Sequence, residues 1–224
     1  MIACVLLLVT QSVSISGRVT FPSSSSQLGV QYDSISTTCI IDRSAGIWAG
    51  VALDAQMSRF SATLSGLRGG LGAADAQFPE RVGGEIAAVV RFQPQSAFAF
   101  EVRHHARVFS SAAGRLSWGI WGVGGRGFLD LGSPFVRATG GLTYMPAVTV
   151  THGPRPLYGI AADFALTVTP RQSPLVFMTG YRIEKFIFSF ADQRAEQFET
   201  LTLSLGLRME RRDGRWKLGG RGER

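Results

Sequence analysis

Apolar and small or polar residues alternate over most of residues 157–211. Tyr158, Ile160, Ala162, Phe164, Leu166 and Val168 are apolar, while Gly159, Ala161, Asp163, Ala165, Thr167 and Thr169 are small or polar. A period of two over this length predicts a β-strand with one apolar and one polar face. Pro170-Arg171-Gln172-Ser173-Pro174 predicts a turn. Residues 175–190 follow, with Leu175, Phe177, Tyr181 and Ile183 on one face. Residues 200–211 then set Leu201, Leu203, Leu205, Leu207 and Met209 against Thr200, Thr202, Ser204, Gly206, Arg208 and Glu210. Long alternating strands joined by tight turns predict an up-and-down antiparallel sheet.

The rhythm extends back to residue 83. Residues 84–92 place Ile86, Ala88, Val90 and Phe92 opposite Glu85 and Arg91. Residues 97–109 place Phe98, Phe100, Val102, Ala106 and Val108 opposite Glu101, Arg103, His105 and Arg107. Residues 116–130 alternate less cleanly, and Gly124-Gly125 there predicts a bulge where the facing flips. Residues 135–145, continuing to 151, oppose Val136, Ala138, Leu142 and Tyr144 to Arg137, Thr139 and Thr143, with Pro146 predicting a rim or bulge. The prolines at 94, 134, 154, 156, 170 and 174 fall where turns are needed. Before residue 83, strands are predicted over 29–41, 46–55 and 60–66, with a Ser-rich loop over 22–27 and a Gly-rich loop over 67–82. The total is about ten strands, or eight if the N-terminal pair lies outside a closed sheet.

Periodicity alone leaves open which face is wet. In a soluble barrel, binding for instance a small apolar ligand, the Phe/Leu/Val face is the core; in a membrane barrel it meets lipid and the other face lines the lumen. Charged residues are 17% of the chain, against ~25% in ordinary soluble domains. The polar faces are rich in Gly, Ala, Ser and Thr and nearly free of Lys, as a narrow lumen requires. Their charges come as close opposite pairs, Glu101/Arg103, Arg182/Glu184 and Arg208/Glu210, and buried charges persist when paired. A lumen network is therefore predicted from Glu101, Arg103, His105, Arg107, Arg137, Asp163, Arg182, Glu184 and Arg208. Cross-strand pairs on a wet surface would give the same spacing. Aromatics gather near strand ends, and Phe92, Phe98, Phe128, Phe135, Tyr144, Tyr158, Phe186 and Phe188 are predicted to form two interfacial girdles.

Over residues 29–211 the chain resembles the small bacterial outer-membrane β-barrel proteins. The resemblance includes the last strand, where Ser204 and Gly206 match the polar and glycine positions of the signal read by the barrel-assembly machinery. Met209 and Arg211 stand where that signal has aromatics. The resemblance implies an all-β, up-and-down antiparallel transmembrane barrel in the bacterial outer membrane, with the lipid bilayer and the assembly machinery as partners. The remaining segments are a signal-like leader over 1–14, a Ser-rich segment over 15–28 and a basic tail over 212–224. The leader reading rests on the apolar run 2–10 and the small residues Ser12, Val13, Ser14 and Ser16, and puts the mature start after about residue 14. The alternative is that residues 13–21 form one more strand.

No cofactor or metal site is predicted. His104 and His105 are adjacent and point to opposite faces of a strand, His152 lies in a loop, and Cys4 and Cys39 make neither a disulfide framework nor a metal site. The net charge of +7 comes largely from arginines scattered through the strands, without the clustered footprint of a nucleic-acid binder. Gly122–Gly127 is Gly-rich but lies in a strand pattern, so it cradles no phosphate. The expected function is non-enzymatic: a structural or adhesive barrel, or a narrow conduit with a filled, charge-paired lumen. A lipid-modifying outer-membrane hydrolase on the same barrel is the alternative.

Overall fold

Each strand pairs with the next in sequence, and the first pairs with the tenth, so the sheet closes on itself. The computed structural model describes residues 10–32, 35–73, 81–111, 114–132, 135–151, 154–170, 173–188, 194–212 and 215–218. The strands are β1 (Ser12–Tyr32), β2 (Ile35–Met57), β3 (Phe60–Ala73), β4 (Arg81–Gln95), β5 (Phe98–Ser111), β6 (Gly114–Asp130), β7 (Val136–Thr151), β8 (Tyr158–Val168), β9 (Leu175–Ile187), β10 (Ala195–Arg212) and β11 (Arg215–Leu218). Strands β1–β10 form the barrel, antiparallel throughout. The short β11 folds back on Met209–Arg212 of β10. The Ser58-Arg59 and Ser96-Ala97 turns share one end of the barrel with the start of β1, where Ser12 pairs with both Gln56 and Glu210. Both ends of the wall's chain therefore lie at the short-turn end.

The apolar face points out. Leu142 is 70% exposed and Ile86 62%, whereas Glu101 and Arg103 are 2% and 4% exposed. Phe100, Val102, Leu53, Leu64, Phe164 and Leu205 share the exterior. Removing a Leu or Ile side chain fully from water is worth about 1.5–3 kcal/mol, so a wall with so many needs an apolar solvent. The buried face is polar and ionic. A soluble barrel would have the reverse arrangement, and the structure excludes it.

The ten barrel strands are not the ten drawn from the sequence. The predicted strands 29–41 and 46–55 fall mostly within the single strand β2. Residues 13–21 belong to β1, which joins β10 and closes the wall. Ser12, Val13 and Ser14 are paired on both sides, with Gln56–Asp54 and with Glu210–Arg208. The Ser-rich stretch is strand rather than loop: Ser23–Ser26 pair with Glu199–Glu196 on one side and Ala45–Asp42 on the other. It is polar on both faces, so alternation vanishes while the ladder continues. Pro22 pairs with Thr200, but the ladder to β2 skips Phe21 and Pro22, as a residue lacking an N–H allows.

The predicted loop 67–82 is mostly strand as well, with Leu67–Leu71 paired to Glu85–Arg81. Its glycines hide the period yet serve the packing. A Cβ on Gly69, or on Gly83 of the neighbouring strand, would strike Trp48, whose ring fills the lumen beside them. Gly124 and Gly125 are paired in continuous register on both sides, so no bulge forms there. The register shift lies between Trp121 and Val123, where β7 inserts its extra residue at Pro146. The facing flips there in β7: Thr143 and Met145 are buried before it, Val148 after it. The apolar run 2–9 with Cys4, together with His152 and Phe190, lies outside the described residues.

Candidate functional site: an ionic septum across the lumen

Inward parity brings charges from five strands, and a threonine from a sixth, together inside the lumen. Glu101 on β5 accepts from Arg103 on its own strand, from Arg91 Nε of β4 at 3.2 Å and from Arg126 Nε of β6 at 3.2 Å. Thr143 Oγ1 of β7 adds a fourth bond at 3.3 Å. Arg126 also reaches Asp163 of β8 at 2.7 Å, and Asp163 in turn lies 3.4 Å from Arg182 of β9. Arg182 Nε donates to Glu184 at 2.6 Å.

The chain of ion pairs then crosses the barrel. Arg107 of β5 donates to Glu184 of β9 at 2.9 Å, although the two strands are not neighbours in the wall. The same guanidinium holds Glu85 of β4 through Nε at 2.8 Å and Nη2 at 2.5 Å, and His105 Nδ1 lies 3.1 Å from Glu85. Five guanidiniums (Arg91, Arg103, Arg107, Arg126, Arg182) thus face four carboxylates (Glu85, Glu101, Asp163, Glu184).

Seven of the nine residues expected in the network meet here: Glu101, Arg103, His105, Arg107, Asp163, Arg182 and Glu184. Arg137 sits at the lumen mouth instead, paired with Asp130 at 2.7 Å and lying 5.9 Å from the Phe128 ring centroid. Arg208 pairs with Glu210 at 3.1 Å, apart from the septum. Glu85, Arg91, Arg126 and Thr143 were not among the expected residues. Glu85 and Arg91 already showed polar parity in the sequence, but as single charges six residues apart on one strand. Arg126 was masked by the glycines around it.

An aromatic layer lies over the septum on the side away from the short turns. Trp48, Phe109 and Phe198 form one group, with ring centroids 5.9–6.4 Å apart, and Arg107 Cζ sits 3.9 Å from the Phe198 centroid. Trp118, Ile120, Met145, Val148, Ala161, Phe186 and Phe188 form the other. Phe186 and Phe188 are therefore lumen residues and not part of a girdle, Phe186 being 1% exposed. Their parity is that of Arg182 and Glu184, which settles their facing. Phe128 lines the lumen mouth for the same reason, sharing parity with Arg126. Phe135 is half-buried at that end. Phe92 and Phe98 stay on the outer wall near the short turns, and Tyr144 and Tyr158 are neighbours 6.1 Å apart.

Two cavities flank the septum. One of about 490 Å³ opens toward the short turns and is lined by Arg18, Asp54, Arg59, Thr63 and Arg91 among others. The second, about 290 Å³, lies on the aromatic side between Phe109, Trp118, Phe186 and Phe198. Arg107 borders both. His105 with Glu85 is an acid–histidine couple not visible in the sequence, formed across adjacent strands. Its Nε2 is buried with no hydrogen-bond partner among the described residues, so no nucleophile stands against it. Among the described residues no group of three His, Cys, Asp or Glu side chains could hold a metal ion.

No protein-family model and no curated protein matches the chain. Solved structures do match in shape. The outer membrane protease OmpT of Escherichia coli aligns with a TM-score of 0.52 at 8% identity, over 90% of this chain and 96% of that one. The translocator domain of the autotransporter NalP from Neisseria meningitidis aligns at 0.40 and 11% identity, over 86% and 88%. Neisserial surface protein A aligns at 0.33 and 12% identity, over 85% and 96%. With its closed ten-strand antiparallel wall and its apolar exterior, the chain has the fold of a membrane-spanning β-barrel.

Proposed function

We propose that the protein is a non-enzymatic barrel of the bacterial outer membrane whose lumen is shut, with a structural or adhesive role. The observation that carries this reading is the Arg107–Glu184 bond, which joins opposite walls and closes the lumen at the level of the charge cluster. A barrel of this strand number has an interior that side chains can fill. The bilayer covers the exterior, and the barrel-assembly machinery is the partner that reads β10, the last strand of the wall. A hydrolase would need a base beside a nucleophile, and His105 Nε2 meets no hydroxyl or thiol among the described residues.

In planar bilayers the refolded protein is expected to give no stable nanosiemens-scale conductance. A large, steady open level would contradict the closed lumen. A narrow conduit is the second reading, favoured by Arg107 being shared between the two cavities, and short, small openings would support it over the structural role.

A further inference from the structure

We propose that the cavity at the short-turn end binds a small, soluble, phosphate-bearing solute. Its volume of about 490 Å³ lies within the ~300–1,000 Å³ typical of ligand pockets. Eight arginines border it: Arg18, Arg59, Arg91, Arg103, Arg107, Arg126, Arg137 and Arg182. Their ion-pair partners are six carboxylates, Asp54, Glu85, Glu101, Asp130, Asp163 and Glu184, so 8 − 6 leaves two positive charges in excess. A concave, low-dielectric wall focuses such an excess on whatever enters.

The excess is not spread evenly. Arg18 is held only loosely, with its Nη2 3.8 Å from Asp54, while Asp54 takes its short bond from Thr63 Oγ1 at 2.6 Å. Thr63 Oγ1 also accepts from Arg91 Nη1 at 3.1 Å, so Arg18 and Arg91 flank the same Asp54–Thr63 pair. Arg18 Nε, Arg103 Nε and Arg182 Nη2 are buried donors with no hydrogen-bond partner among the described residues, and Arg103 is 4% exposed. Unsatisfied charged donors in a confined space are costly, and a small shift of these side chains onto an oxyanion satisfies them. Ser16, Ser65 and the hydrogen-bonded pair Thr20–Thr202 line the same cavity and add hydroxyls to its arginines. A tetrahedral phosphate, accepting bonds from several directions at once, fits a ring of forked guanidiniums and hydroxyls. The cavity opens at the barrel end and not through the apolar wall, so the phosphate belongs to a soluble solute and not to a lipid headgroup.

The probe is inorganic phosphate, titrated into the full chain refolded in zwitterionic detergent, with chloride at matched ionic strength as reference. Calorimetric binding and a saturable rise in the unfolding midpoint are expected in phosphate and not in chloride. Arg18→Gln is expected to weaken the phosphate affinity about tenfold or more, the loss of one charge-assisted bond. Should that variant not refold, Arg59→Gln on the exposed rim is expected to weaken binding in the same direction. Equal responses to the two salts, or variants that titrate like the parent, would overturn the proposal. Conductance reports on the septum separately: a leaking barrel that still binds phosphate contradicts only the closed lumen, and a closed one that does not bind contradicts only this site.

Discussion

Glu101→Ala is expected to destabilise the barrel by about 3–5 kcal/mol, the usual cost of stripping one partner from a buried ion pair. Glu101 has no exposed side-chain surface and is approached by Arg91, Arg103 and Arg126. After its removal Arg126 retains Asp163 at 2.7 Å and Arg91 retains Thr63 at 3.1 Å. Among the described residues Arg103 is left with Asp163 alone as an ionic partner, at 3.8 Å. The damage should therefore centre on Arg103, and a Glu101→Gln/Arg103→Leu double variant should recover much of the loss. Denaturant unfolding, followed by heat-modifiable gel migration, measures both. By contrast, Arg137→Ala breaks the Asp130 pair at the mouth, where the side chains are 40% and 51% exposed, and should cost only ~0–1 kcal/mol. Equal costs for the Glu101 and Arg137 variants would contradict a buried septum.

Arg107→Met should be comparably severe, about 3–5 kcal/mol, and for a different reason. Arg107 holds Glu85 and Glu184 together from opposite sides of the lumen. Its loss leaves two like charges in the same confined space, and also removes the guanidinium stacked on Phe198. Neutralising these two carboxylates, which keep only Arg182 and His105 as partners among the described residues, is the control: Arg107→Met with Glu85→Gln and Glu184→Gln should be more stable than Arg107→Met alone. The non-additivity of that cycle measures the coupling directly. Additive losses would mean that the three side chains do not form one unit.

The sequence made the wall legible wherever one face was apolar and the other polar. From Gly83 onward the alternation of β4, β5, β8 and β9 fixed the facing of Glu101, Arg103, Asp163 and Arg182. The signal failed where both faces had the same character. Ser23–Ser26 are polar on either side and read as a loop, although they pair with both β2 and β10. In β6, Trp118 and Ile120 face the lumen while Trp121 and Val123 face out, so apolar residues on both faces blurred the period. Gly69 read as loop because a glycine has no side chain to reveal a facing, yet it leaves room for Trp48. Phe186 and Phe188 were placed by residue type when their parity with Glu184 gave the better guide. The couplings between Arg107 and Glu184, and between His105 and Glu85, depend on closure and register. Neither can be read from spacing along one strand.

The inside-out wall is tested most directly by two neighbouring alanines on β8. Ala161 is 5% exposed and packs with Trp118, Ile120, Met145 and Phe186. Ala162 has the opposite facing, paired with Leu142 and Ile183 along the outer wall. Ala161→Trp must force a ring into a filled lumen, at an overpacking cost of ~1–3 kcal/mol. Ala162→Trp adds a ring among acyl chains or detergent tails and should be nearly neutral. The measurement is the denaturant midpoint of both variants refolded in detergent. The expected result is a clear loss for Ala161→Trp alone, and greater damage from Ala162→Trp would contradict the membrane barrel.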